Sequence, residues 1–259
     1  MLLNYRHVGH GPALVLIHGL FGSLDNLMSF GRVMADRYSV VSIDLRNHGE
    51  SPRAATMSLE DMAQDVCDTM DHLGFGHFAI LGHSLGGKVA MATALLHPQR
   101  VSALVIADIA PVTYGSTRHD DVFEALCALP LATMQTRGEA LAFMQANLHD
   151  PGIAEFLLKG LRKSAEGGFQ LRYNVPVLRS DYLNIAAWPF SGKQFDGPVR
   201  FIKGSESDYV TAQHAEAIEQ QFPHASLRAI SGAGHWLHAQ KPMAFNRLAE
   251  KFLEEVYPA

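Results

Sequence analysis

Cysteine is scarce in this sequence, with 2 among 259 residues. Cys67 and Cys127 lie far apart, each in an apolar stretch of helical pattern. No disulfide framework is expected, and both thiols read as buried packing residues in a reducing compartment. Charge of one sign is lacking too. Lys and Arg number 21 against 26 Asp and Glu, for a net charge of −5 and no long run of either sign. That balance speaks against nucleic acid or an anionic membrane surface as partner. No apolar run approaches the roughly 20 residues that cross a bilayer. The opening Met1–His10 mixes polar and apolar residues and includes Arg6, unlike a signal peptide. With no targeting signal the expected location is cytoplasmic. Missing as well are H-E-x-x-H, paired-cysteine, Walker A and G-x-G-x-x-G patterns, so no metal and no cofactor are expected.

What is abundant is apolar residues, 47% of the chain against 18% charged. That suits one globular domain carrying an insertion. Short apolar runs, most of them rich in Val and Ile, at Ala13–Ile17, Ser39–Ile43, Phe78–Leu81, Val101–Ala107 and Val199–Ile202 predict buried parallel strands, with Ser226–Ile230 as a further candidate. Helical patterns fall between them, at Leu24–Ala35, Leu59–Leu73, Leu85–Leu96, Ala212–Gln221 and Met243–Val256. Ser58 with Asp61 predicts a capping box, and His97-Pro98 ends a helix. Strands alternating with helices predict an α/β fold with an open parallel sheet. Ligands of such sheets bind beyond the carboxyl ends of the strands. The alternation lapses between residues 111 and 195. That stretch holds helical patterns at Val122–Leu129, Ala140–Leu148 and Ala154–Ser164, broken by prolines and by Gly167-Gly168. It predicts a helical cap inserted into a core formed by residues 1–110 and 196–259.

Gly82-His83-Ser84-Leu85-Gly86 is a G-x-S-x-G sequence set between a strand pattern and a small-residue helix pattern. That is the setting of a nucleophile elbow, a tight strained turn that lifts a serine hydroxyl above the sheet. A serine needs a base to take its proton. His235, in Gly232-Ala233-Gly234-His235-Trp236, follows the last strand pattern and is the candidate. His18 and His83 fall inside motifs and read as loop-shaping, and His238 as packing. The base needs an acid to orient it. Asp108, at the end of Val101–Ala107, and Asp208, after Val199–Ile202, both qualify, and chain order does not separate them. Acyl transfer also needs donors for the oxyanion. The backbone N–H groups of Leu20, in His18-Gly19-Leu20-Phe21-Gly22, and of Leu85 are the candidates. Asp44 and Arg46, in Asp44–Ser51, read as scaffold.

Together these motifs resemble the α/β-hydrolase superfamily and, more narrowly, the YbfF-type bacterial esterases. The resemblance spans nearly the whole chain and weakens inside the cap. It rests on HGLFGS at His18–Ser23, IDLRNHGES at Ile43–Ser51, GHSLGGK at Gly82–Lys88, ADIAPVTY at Ala107–Tyr114 and GAGHWLHAQKP at Gly232–Pro242. It implies the α/β-hydrolase fold with a cap. It also implies Asp108 as the acid, with Ser207 as a fourth member of the active site; here Asp208 follows Ser207 directly. The expected activity is hydrolysis of a small-molecule carboxylic ester, or of an acyl thioester, through an acyl-enzyme on Ser84, His235 and Asp108. Two other readings stand beside it: cleavage of a carbon–carbon bond by the same triad, and a ligand receptor on a hydrolase scaffold.

Overall fold

A computed structural model describes residues 1–259. The chain opens with a strand that periodicity did not mark, β1 (Tyr5–Val8), followed by β2 (Ala13–Ile17), α1 (Met28–Met34), β3 (Ser39–Ile43), α2 (Leu59–His72), β4 (Phe78–His83), α3 (Leu85–Leu96) and β5 (Val101–Ala107). After the stretch that leaves the sheet come β8 (Val199–Gly204), α9 (Ala215–Gln221), β9 (Ala225–Ile230), α10 (Leu237–Gln240) and α11 (Pro242–Val256). Their strands form one sheet in the order β1-β3-β2-β4-β5-β8-β9. All pairings are parallel except β1 with β3. β1 escapes a pattern reading because it is an exposed edge strand, with only Tyr5 half-buried.

The interior strands carry apolar residues on both faces because both faces are covered. Along β2, Val15 and Ile17 join the core containing Met62 and Val66 of α2 and Val89 of α3. Leu14 and Leu16 join the opposite core, with Phe30 of α1 and Phe245 and Phe252 of α11. α3 is buried on nearly every side, which is why its sequence is apolar and small all round rather than amphipathic. Ser58 caps α2 by accepting the Asp61 N–H. The expected reciprocal arm is absent: the Asp61 carboxylate goes instead to Thr56 Oγ1 at 2.9 Å and Arg46 Nη1 at 3.0 Å.

Between β5 and β8 lie α4 (Asp120–Ala128), α5 (Arg137–Asn147), α6 (Ala154–Leu158), α7 (Val175–Ser180) and α8 (Tyr182–Ala186). This region is not purely helical. β6 (Leu161–Lys163) and β7 (Phe169–Leu171) pair as an antiparallel hairpin. The helix expected to run to Ser164 stops at Leu158 just before Gly160, and Gly167 and Gly168 take φ of 98° and 65° to turn the chain back. Only glycine adopts two such angles in succession cheaply. Cys127 corrects a second expectation: Cys67 is buried, but Cys127 is exposed on α4.

Candidate active site

Parallel register brings the site together. His83, the last residue of β4, pairs with Ala107, the last of β5, so Ser84 and Asp108 leave the sheet side by side. Their backbones continue the ladder: Ser84 N–H bonds Ala107 O at 2.9 Å and Asp108 N–H bonds Ile202 O at 2.9 Å. Both then turn sharply, with φ of 54° at Ser84 and 53° at Asp108. Non-glycine residues in this region cost about 1–3 kcal/mol and persist only where the surroundings hold them. The flanking glycines are what permit the turn at Ser84. A Cβ at Gly82 would run into the Gly86 carbonyl, and one at Gly86 into the carbonyls of Ile17 and His18.

The hydroxyl of Ser84 lies 3.0 Å from His235 Nε2, and His235 Nδ1 lies 2.8 Å from Asp108 Oδ2. With Nδ1–H donating to the carboxylate, Nε2 is left free to accept from the serine. Asp108 is 0% exposed. Its Oδ1 accepts the Gly204 N–H at 3.0 Å, and its Oδ2 also accepts from Ser207 Oγ. The two aspartates that looked alike in sequence are thus unlike in place. The Asp208 side chain is 73% exposed and ion-paired with Arg118, whose guanidinium holds that carboxyl below its usual range. Ser207 and Asp208 are chain neighbours pointing to different partners.

The ring of His235 is flanked by aromatic groups that the motifs did not reveal. Tyr209 stacks on it, and the Arg118 guanidinium covers the far face of Tyr209 at 3.9 Å. Underneath, His83 donates from Nε2 to the His235 carbonyl at 2.8 Å. Burial drives His83 well below the usual imidazole range, which keeps it a neutral donor to that carbonyl. Two further buried histidines shape the loop after β2. His18 donates from Nδ1 to Gly19 O at 2.8 Å and accepts the Leu45 N–H at Nε2, 3.1 Å. His48 donates from Nδ1 to Arg46 O at 3.0 Å and accepts the Phe21 N–H at Nε2, 3.2 Å. Burial lowers both, His48 to about 3, and a neutral ring is what each acceptor nitrogen requires.

Asp44 and Arg46 sit in the supporting layer. Asp44 accepts from Asn4 Nδ2, Leu24 N–H and Glu50 N–H, and Arg46 grips the buried Asp65 through Nε at 2.6 Å and Nη2 at 3.0 Å. Leu20 lines the space above Ser84, and its N–H has no acceptor among the backbone hydrogen bonds of its loop. Leu85 is the first residue of α3, so its N–H has no carbonyl one turn back in the helix. Over Ser84 opens a cavity of about 490 Å³, walled by Leu20, Phe21, Phe156, Leu157 and Trp236. Phe156 and Leu157 come from α6. No group of three or more His, Cys, Asp or Glu side chains converges as a metal site, and no helix is long and apolar enough to cross a membrane.

Residues 12–151, which hold the elbow serine, match the family described as the alpha/beta hydrolase fold. The chain belongs to that family. Within it, the chain is an enzyme of the serine hydrolase type. Esterase YbfF of Escherichia coli (strain K12) is 42% identical over 242 residues, covering 93% of each chain. The sn-1-specific diacylglycerol lipase ABHD11 of Mus musculus is 35% identical over 249 residues, covering 93% of this chain and 81% of its own. A solved structure described as a marine microorganism esterase superposes with a TM-score of 0.93 at 35% identity, over 97% of this chain and 99% of that one.

Proposed function

We propose that this enzyme hydrolyses carboxylic esters, with acyl thioesters as the second substrate type, through an acyl-enzyme on Ser84. The observation that carries the reading is the unbroken relay from Ser84 Oγ through His235 to Asp108, with steps of 3.0 and 2.8 Å, opening on the cavity that Leu20, Phe21 and Trp236 help to wall. His235 takes the hydroxyl proton as Ser84 Oγ bonds to the acyl carbon. The carbonyl π electrons move to oxygen, and the N–H groups of Leu20 and Leu85 receive the oxyanion. Two such donors contribute several kcal/mol to the transition state. As the carbonyl reforms, the bond to the leaving oxygen or sulfur breaks and His235 protonates that atom. Water then repeats the sequence, deprotonated by His235, and releases the carboxylic acid with Ser84 restored. Asp108 holds the imidazole in the Nδ1–H tautomer and stabilises the imidazolium. Ser207 and Gly204 orient Asp108.

The esterase and diacylglycerol lipase names of the relatives support an ester as substrate. Residues 111–195 act as a cap that walls the cavity with Phe156 and Leu157. The two free cysteines suit a cytoplasmic setting. The test is stopped-flow hydrolysis of an activated p-nitrophenyl ester, together with labelling by an organophosphonate. A burst of one equivalent and a covalent adduct on Ser84 are expected. Undiminished turnover by Ser84→Ala would overturn the reading.

A further inference from the structure

Leu20, Ser84 and Leu85 line a small apolar space of about 40 Å³, and Lys88 lines the same space. Lys88 stands one turn along α3 from Ser84, with its N–H bonded to the Ser84 carbonyl at 3.1 Å. It is 3% exposed. Its ammonium donates to the carbonyls of Ala186 at 2.6 Å, Ala187 at 2.8 Å and Ile185 at 3.4 Å, at the C-terminal end of α8. It also lies 5.2 Å from the centre of the Tyr114 ring. All of these partners are uncharged. Burial lowers Lys88 to about 7, with no nearby carboxylate to raise it, while the carbonyl acceptors favour the charged form. The other titratable groups on this space are Arg118, His119, Tyr114, Tyr182 and Tyr209. Arg118 is paired with Asp208, His119 is lowered by burial to about 4, and burial raises all three tyrosines. Lys88 is therefore the one positive charge here without a counterion.

Tying down the end of α8 accounts for the hydrogen bonds but not for the charge, since a neutral amide also donates to carbonyls. Burying a cation without an anion is costly. At Ser84 that charge has a use, because the tetrahedral intermediate carries a negative charge that the ester lacks. We infer that Lys88 supplies a fixed positive potential behind the oxyanion, favouring the transition states of acylation and deacylation alike. The inference rests on the roles proposed above for Ser84, Leu20 and Leu85. Side chains one helical turn apart have Cβ atoms about 5–6 Å from each other, and the length of the lysine chain puts its charge roughly 10 Å from the oxyanion. Over that distance one unit charge changes a rate about tenfold at an effective dielectric constant of about 20, and about twofold in water. Leu85, Ile109 and Ile185 line the space between, so the field crosses protein and the larger figure applies. A neutral ester in its ground state gains nothing from it, so the effect belongs to kcat rather than KM.

The test compares Lys88→Gln, which keeps donors for the α8 carbonyls but no charge, with Lys88→Met, which keeps neither. Each variant is first checked for a cooperative melt. The readouts are kcat and KM on p-nitrophenyl acetate, and inhibition by a boronic acid, whose adduct on Ser84 is a tetrahedral anion. In both variants kcat and boronate affinity should fall about tenfold, with KM within about twofold of wild type. Lys88→Gln matching wild type while Lys88→Met falls would make Lys88 a tie for α8 and overturn the inference. A fall in kcat with undiminished boronate affinity overturns it as well. If Lys88→Met does not fold, Lys88→Gln decides alone. Organophosphonate labelling of wild-type Ser84 separates this inference from the esterase reading: a labelled serine with both variants as active as wild type sinks only the role of Lys88, whereas absence of labelling and turnover overturns the two together.

Discussion

Asp108 and His235 are 127 residues apart in sequence and 2.8 Å apart in space, carboxylate oxygen to ring nitrogen. Asp208 sits only 27 positions from His235 in the sequence, yet its carboxylate is taken by Arg118. The expected outcome is therefore asymmetric. Asp108→Asn presents an amide to Nδ1 and favours the wrong tautomer, so kcat should fall about 10³- to 10⁴-fold. Asp208→Asn should stay within a few-fold of wild type. Steady-state kinetics on one activated ester decides it, and collapse in Asp208→Asn with normal turnover in Asp108→Asn would reverse the roles.

Ser84 is held at a φ of 54°, and alanine in its place inherits the same turn without the hydroxyl. Glycine relieves a strain of about 1–3 kcal/mol, less roughly 0.5–1 kcal/mol of extra chain entropy. Ser84→Gly should be more stable than Ser84→Ala by about 1 kcal/mol, both being inactive. Urea midpoints of the two variants provide the comparison, and equal midpoints would show that the elbow is unstrained.

Five histidines, His18, His48, His83, His119 and His238, are lowered chiefly by burial, His48 to about 3 and His119 and His238 to about 4. In the unfolded chain each titrates near 6.5. Between those values the unfolded state binds more protons than the folded one, so stability falls as pH drops from about 6.5 towards 3 and is intact above about 7. Each histidine contributes a slope of up to about 1.4 kcal/mol per pH unit. Urea titrations at pH 7.5, 6 and 5 should give steeply falling midpoints. A flat profile across that range would mean the rings accept protons in place.

Arg46 meets Asp65 with side-chain exposures of 7% and 1%. Arg46→Met leaves that carboxylate buried with only the Met1 ammonium beside it. Removing one member of a buried pair costs about 3–5 kcal/mol, and the remaining ammonium should hold the loss near the lower figure. Thermal melts report it. A loss below about 0.5 kcal/mol, the usual size for an exposed pair, would show that water reaches Asp65.

Local chemistry made much of this protein readable from its residues. Gly82 and Gly86 around Ser84, between a Val/Ile-type strand run and a small-residue helix run, announce an elbow because few other sequences survive so tight a turn. The buried strands are legible for a similar reason: both faces of a parallel sheet are covered, so their apolar runs are continuous. β1 and the β6–β7 hairpin were not legible. The first is an exposed edge, and the second depends on two left-handed glycines whose angles no periodicity reports.

What the tertiary structure alone decided is how residues distant in the chain share space. Asp108 and Asp208 both follow strands, and their own neighbourhoods did not rank them; the family resemblance did. The register of β4 on β5 sets Asp108 beside Ser84, while the loop after β8 gives Ser207 to Asp108 and turns Asp208 outward to Arg118. The contact of Lys88 Nζ with the Ala186 carbonyl at the end of α8, across 98 residues, is equally beyond a linear reading. Side-chain periodicity is a property of a few neighbouring residues, whereas a hydrogen bond of 2.8 Å between remote groups depends on every strand register and loop between them.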